Sequence, residues 1–194
     1  MEFWKQLALL GLLLVTSFTP VFAQGPPPAP SEFTDSNLGF RYTPPPQMLD
    51  FTAIDRRTIR ERAVAQGTTN TLTLLSSLRS GPDDTAADWR TIGIQTYPHE
   101  KFRRQNDRDA SVKFSRSIAG NAKEVGQPSD VTIGNFHFVV SSFELREGQL
   151  TRRARVYTTV RKGLMLSLSF SANSLDTLDA IVSSMKTFAP LETK

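Results

Sequence analysis

Two histidines, no cysteine and one dense run of arginines bound the chemistry open to this 194-residue chain. His99 follows Tyr97-Pro98 and precedes Glu100, which places it in an exposed loop. His137 stands in a stretch rich in β-formers, on the side of Val139 and Ser141, where a hydrogen-bonded sheet histidine is expected. Neither histidine belongs to an H-x-H or H-x-x-x-H pair, so no metal site is expected. The absence of cysteine excludes disulfides, thiolate metal centres and a cysteine nucleophile together. Neither the G-x-S-x-G elbow nor the phosphate-cradling G-x-x-x-x-G-K is present. Ser167, Ser169 and Ser171 alternate along one stretch and are expected to face away from the core. Asp83 and Asp84 follow Gly81-Pro82 in a turn, where carboxylates commonly cap backbone amides. No catalytic residue, cofactor or metal is expected from these types and spacings.

The one cluster that stands out is Arg152, Arg153, Arg155, Arg161 and Lys162. Strand alternation puts Arg153, Arg155 and Arg161 on one side with Tyr157 between them. Arginine forks suit carboxylate and phosphate, so these four residues are the candidate contact for an anion or a partner. The competing reading is a solvated strand whose long basic side chains guard against edge pairing.

The elements that must position this cluster are clearest in the last third. Residues 136–145 read as a strand running up to the turn signal Glu147-Gly148. In residues 149–160, Ala154, Val156, Thr158 and Val160 alternate with Arg153, Arg155, Tyr157 and Thr159. A three-residue loop at Arg161-Lys162-Gly163 then leads into Leu164, Leu166, Leu168 and Phe170 on one face. That loop length pairs Val160 with Leu164, Thr158 with Leu166, Val156 with Leu168 and Ala154 with Phe170, so both apolar sets share a face. Asn173-Ser174 caps a final helix whose stripe is Leu175, Leu178, Val182 and Met185, widened by Ile181. The helix is expected to lie across the residue 164–170 face, with Phe188 closing the edge.

Upstream, residues 38–42 read as a short strand and 53–66 as a helix with a thin apolar face, Ile59 and Ala63. Residues 71–78 and 92–97 read as strands, and 107–118 as a second helix with Ala110, Phe114 and Ile118 four apart. The order is β-α-β-β-α, then a three-strand meander and a helix.

The N-terminus has the layout of a secretory leader. One lysine precedes an unbroken apolar core over residues 7–15, and Val21-Phe22-Ala23 supplies small-residue cleavage chemistry after Ala23. The apolar core is far short of the ~20 residues that span a bilayer. Residues 24–32 are Pro-rich and expected to be an extended tether, leaving 33–190 as a single globular domain. With no cysteine after the leader, no lipid anchor is expected. Lys plus Arg at 23 against Asp plus Glu at 19 gives a net charge of +4. An exported chain with that mild excess and no base-stacking motif is not expected to bind nucleic acid, while attraction to anionic surfaces stays open.

This pattern resembles the PsbP/Mog superfamily, which includes photosystem II extrinsic proteins, a Ran-binding protein and many small exported bacterial proteins. The likeness is carried by Phe33-Thr34-Asp35, by Leu38-Gly39-Phe40-Arg41-Tyr42 with the prolines after it, and by the meander and final helix. It implies an α+β fold in which an antiparallel sheet is flanked by helices on both faces, an α/β/α sandwich. It implies no chemistry, because members do unrelated things, and no ligand positions for a metal can be matched here. The expected function is that of a non-catalytic exported binding or accessory protein of the cell envelope, periplasmic or secreted. Its partner would be an unknown envelope protein or an anionic ligand. A structural stabiliser of an envelope assembly and an enzyme with an unrecognised site are the alternatives.

Overall fold

An eight-stranded antiparallel sheet organises the computed structural model, which describes residues 25–68, 71–102 and 105–191. The leader expected over residues 1–23 lies outside the described residues. In chain order the elements are β1 (Phe33–Asp35), β2 (Phe40–Tyr42), β3 (Leu49–Asp50), α1 (Thr52–Ala65), β4 (Thr73–Arg79) and β5 (Arg90–Pro98). A 3-10 turn at His99–Phe102 leads into α2 (Asp107–Ala119), β6 (Lys123–Glu124), β7 (Ser129–Ile133), β8 (Phe136–Glu147), β9 (Leu150–Arg161) and β10 (Leu164–Ala172). The chain ends in α3 (Leu175–Val182), a 3-10 turn at Ser183–Thr187 and β11 (Ala189–Pro190). The large sheet runs β3-β4-β5-β10-β9-β8-β6, with β7 also pairing β8, and β1-β2-β11 form a small second sheet.

Both faces of the large sheet are covered, and this decides the register of its central hairpin. One core joins Leu166, Leu168, Phe170 and Tyr157 to Leu178, Ile181, Val182 and Met185 of the C-terminal segment and to Phe40 and Tyr42 of the small sheet. The other joins Ala154, Val156 and Met165 to Ala110, Phe114 and Ile118 of α2. The apolar sets of β9 and β10 therefore lie on opposite faces. The expected three-residue loop is replaced by a two-residue turn, Lys162-Gly163, with Arg161 opposite Leu164 and Val156 opposite Ser169. Both turn residues have positive φ, 49° and 76°, the mirror-image geometry that matches strand twist. A same-face rule holds only for a sheet that is buried on one side.

Two further expectations change for the same reason. Ser167 and Ser169 do not face solvent: Ser167 is fully buried, and Ser169 Oγ donates to the Gly93 carbonyl at 3.3 Å. In the same core Ser115 and Thr158 form a 2.8 Å hydroxyl pair, while the Ser167 hydroxyl has no hydrogen-bond partner among the described residues. Leu175 is 51% exposed, because it opens α3 and the stripe meets the sheet only from Leu178. Ser174 caps that helix, accepting from Thr177 N at 3.1 Å, and Phe188 closes the edge, stacked at 5.0 Å on Phe40.

Helix α1 docks through polar contacts, so its thin apolar stripe suffices. Buried Asp55 accepts from Arg79 at 2.7 Å and from the Ser77 hydroxyl at 2.5 Å, while Thr52 Oγ1 accepts from Ser77 N at 2.9 Å. Within the Pro-rich stretch, the Pro27 carbonyl accepts from Asp50 N and Ala29 N donates to the Met48 carbonyl, both at 2.8 Å. This part of the stretch runs along β3. No helix among the described residues is long and apolar enough to cross a membrane.

Candidate functional site

The β8–β9 ladder holds from the Glu147–Leu150 pair to the Val139–Thr158 pair and goes no further. Beyond it β8 stays with β7, down to the Ile133–Phe136 pair, while β9 stays with β10 down to the Arg161–Leu164 pair. Two hairpins thus part company, and a crevice of about 340 Å³ opens where they do. Its walls are the first turns of α2 (Asp107, Arg108, Ser111), β7 (Asp130–Thr132), the start of β8 and the end of β9. The β7–β8 turn, Gly134-Asn135, is a strong two-residue hairpin signal. Gly134 has a φ of 61°, and a Cβ there would sit 2.7 Å from the Pro190 ring.

Arg161 is the sequence-predicted site residue that reaches this crevice. Its guanidinium carbon lies 4.6 Å from the centroid of the Phe136 ring, a cation–π contact. Its Nε is buried without a hydrogen-bond partner among the described residues. Arg153 and Arg155 go elsewhere. Arg153 Nε is 3.5 Å from Glu144, its cross-strand neighbour, and Arg155 donates to Asp179 of α3 at 3.1 Å. Six residues of strand, about 20 Å, separate Arg155 from Arg161. Tyr157, between them, is only 8% exposed and packs edge-on against Phe138 and Phe170. Burial pushes its phenol pKa up, with Arg155 pulling weakly the other way. The four residues share a face but form two separate contact points with a buried ring between them.

The remaining members of the basic cluster are engaged within the fold. Arg152, on the opposite face, is buried; it donates to Asp84 and lies over the Trp89 ring at 5.1 Å. Asn173 holds the same loop, donating to the Asp84 and Ala86 carbonyls at 2.7 and 2.8 Å. Asp83 caps Thr85 as the turn chemistry predicts, and those hydrogen bonds hold its carboxyl below the usual range. Lys162 Nζ donates to the Asn37 carbonyl at 2.6 Å.

His137 is the hydrogen-bonded sheet histidine expected: it is exposed on β8, and its Nδ1 lies 3.0 Å from the hydroxyl of its cross-strand partner Thr132. His99 sits in the 3-10 turn with Nε2 3.5 Å from Asp107. Among the described residues no group of three or more His, Cys, Asp or Glu side chains could hold a metal ion. Ser183-Ser184-Met185-Lys186 spells S-x-x-K, a pattern that hosts a nucleophile in some hydrolases. Here Ser183 Oγ donates to the Ala180 carbonyl at 2.6 Å and finishes a helix. Ser111, Thr132 and Phe136 are crevice residues that the strand-by-strand reading passed over. The legible signal was the Gly134-Asn135 turn, which predicts β7 and hence a second hairpin.

No protein-family model matches the sequence, and no curated protein matches it. Among solved structures, the chain is similar to the solution structure of cyanobacterial PsbP (CyanoP) from Synechocystis sp. PCC 6803. The TM-score is 0.53 at 11% identity, over 89% of this chain and 99% of that one. LpqN, involved in cell envelope biogenesis of Mycobacterium tuberculosis, aligns with a TM-score of 0.42 at 14% identity, over 64% of this chain and 80% of LpqN. A crystal structure from Bacteroides thetaiotaomicron VPI-5482 aligns with a TM-score of 0.43 at 12% identity over 84% of this chain, which spans only 48% of that protein. The match that covers nearly the whole of both chains decides the architecture: this chain has the PsbP-like α+β fold.

Proposed function

We propose that this protein is a non-catalytic binding or accessory protein of the cell envelope, and that β9 carries its contact residues, Arg153, Arg155 and Arg161 over the buried Tyr157. The observation that carries the reading is Arg161. It presents a half-buried guanidinium in an open crevice, with no carboxylate partner among the described residues, whereas Arg153 and Arg155 are already balanced by Glu144 and Asp179. A positive group held without its counter-ion is costly unless a ligand supplies one. The envelope setting rests on the leader over residues 1–23, and N-terminal sequencing of the mature protein should begin at Gln24.

Affinity purification of the mature protein from its native envelope, at two salt concentrations, tests the reading. Partner recovery should fall with salt, since exposed charges are screened within ~8 Å at physiological ionic strength. It should fall further when Arg153, Arg155 and Arg161 are all replaced by Gln. Equal recovery from wild type and variant at both salts overturns the assignment.

A further inference from the structure

We propose that the crevice between the two hairpins binds a small monocarboxylate that carries an apolar body. The inference rests on the reading of Arg161 as a contact residue and names the chemistry it would contact.

Four observations converge. First, the charges lining the crevice are unequally satisfied. Arg108 donates to Asp130 and to the Pro128 carbonyl, both at 3.1 Å, and Asp107 lies 3.5 Å from His99. Arg161 lies over the Phe136 ring, and its Nε has no hydrogen-bond partner among the described residues. Second, Ser111 of α2 lines the crevice at 2% exposure. A guanidinium and a hydroxyl are both donors that suit a carboxylate. Third, Val131, Val139 and Val160 line the same space, and of these Val131 is 37% exposed. They offer an apolar body a place out of water. Fourth, Asp107 and Asp130 stand on the lining. Arg108 offsets one of these charges, and the other disfavours a dianion such as phosphate, whereas a monoanion meets Arg161 at smaller cost.

The test is calorimetric titration of the purified protein with 3-phenylpropionate, its neutral amide and inorganic phosphate. Amide chemical-shift mapping runs alongside. The expected result is saturable binding of 3-phenylpropionate with shifts concentrated at Ser111, Val160 and Arg161. The neutral amide should bind at least about tenfold more weakly, and so should 3-phenylpropionate to the Arg161→Gln variant (about 1.4 kcal/mol per tenfold). Ser111→Ala should weaken binding severalfold. The ligand series is read on wild type, so it decides the matter even if a variant fails to fold. No saturable binding, shifts outside the crevice, equal affinity for acid and amide, or phosphate binding as tightly each overturns the proposal. A crevice empty of carboxylate alongside an Arg161-dependent envelope partner would sink this inference alone. The reverse pattern would sink the partner reading alone.

Discussion

Arg161 stacks its guanidinium on the ring of Phe136, 4.6 Å from the centroid, across a gap that the β8–β9 ladder leaves open. The contact ties the end of one hairpin to the start of another where no backbone pairing does so. It also fixes a cation at the mouth of a crevice with its Nε unpartnered among the described residues. Arg153 and Arg155, the other proposed contacts on β9, are also ion-paired with Glu144 and Asp179, so substitutions along one strand should separate into structural and binding effects.

The core that backs β9 sets the stability. Leu168 is fully buried between β5, β9 and α3, so Leu168→Ala should cost about 2–5 kcal/mol in chemical denaturation. A loss below about half a kcal/mol would mean that this face of β10 is not covered.

Arg152 and Asp84 form a largely buried ion pair, their side chains 8% and 16% exposed. Asp84→Ala leaves the buried guanidinium only the longer contact with Glu147, at 3.8 Å, and should cost about 3 kcal/mol. Combining it with Arg152→Met should cost less than the sum of the single changes, because neither charge is then left alone. Trp89 lies under Arg152, so its fluorescence should report the loosened loop. Strict additivity would show that the pair contributes no coupling.

Buried Tyr42 donates or accepts a 2.6 Å hydrogen bond with Ser184, and burial raises its phenol pKa far above the usual value. The folded state therefore keeps the proton that the unfolded chain loses near pH 10. The stability this provides is fully present below that pH. It declines above it by about 1.4 kcal/mol per pH unit. Tyr42→Phe should flatten that alkaline decline in denaturation curves taken from pH 9 to 11.5. An unchanged slope would assign it to other groups.

Most of the architecture was legible because periodicity survives burial. Ala110, Phe114 and Ile118 mark α2 by spacing alone, and all three are buried in the second core. Leu166, Leu168 and Phe170 mark the face that α3 covers. The β9–β10 register was not legible by matching apolar faces, because Val156 and Leu168 each satisfy a different core. The turn residues held the better clue, since Lys162-Gly163 fits a two-residue loop with both φ positive. The candidate site was half legible. Alternation placed Arg153, Arg155 and Arg161 on one face. Their division depends on Asp179, Glu144 and Phe136, which lie on other elements and carry no local signature.

The most direct measurement compares Arg161→Gln with Arg155→Gln in affinity for the captured envelope partner, with a melting curve for each. Arg161→Gln should lower affinity at least about tenfold and leave the melting temperature nearly unchanged. Arg155→Gln should mainly lower stability, by up to about 1 kcal/mol, through the lost contact with Asp179. Partner affinity that is indifferent to Arg161→Gln, in a variant that folds normally, would contradict the assignment of this crevice as the binding site.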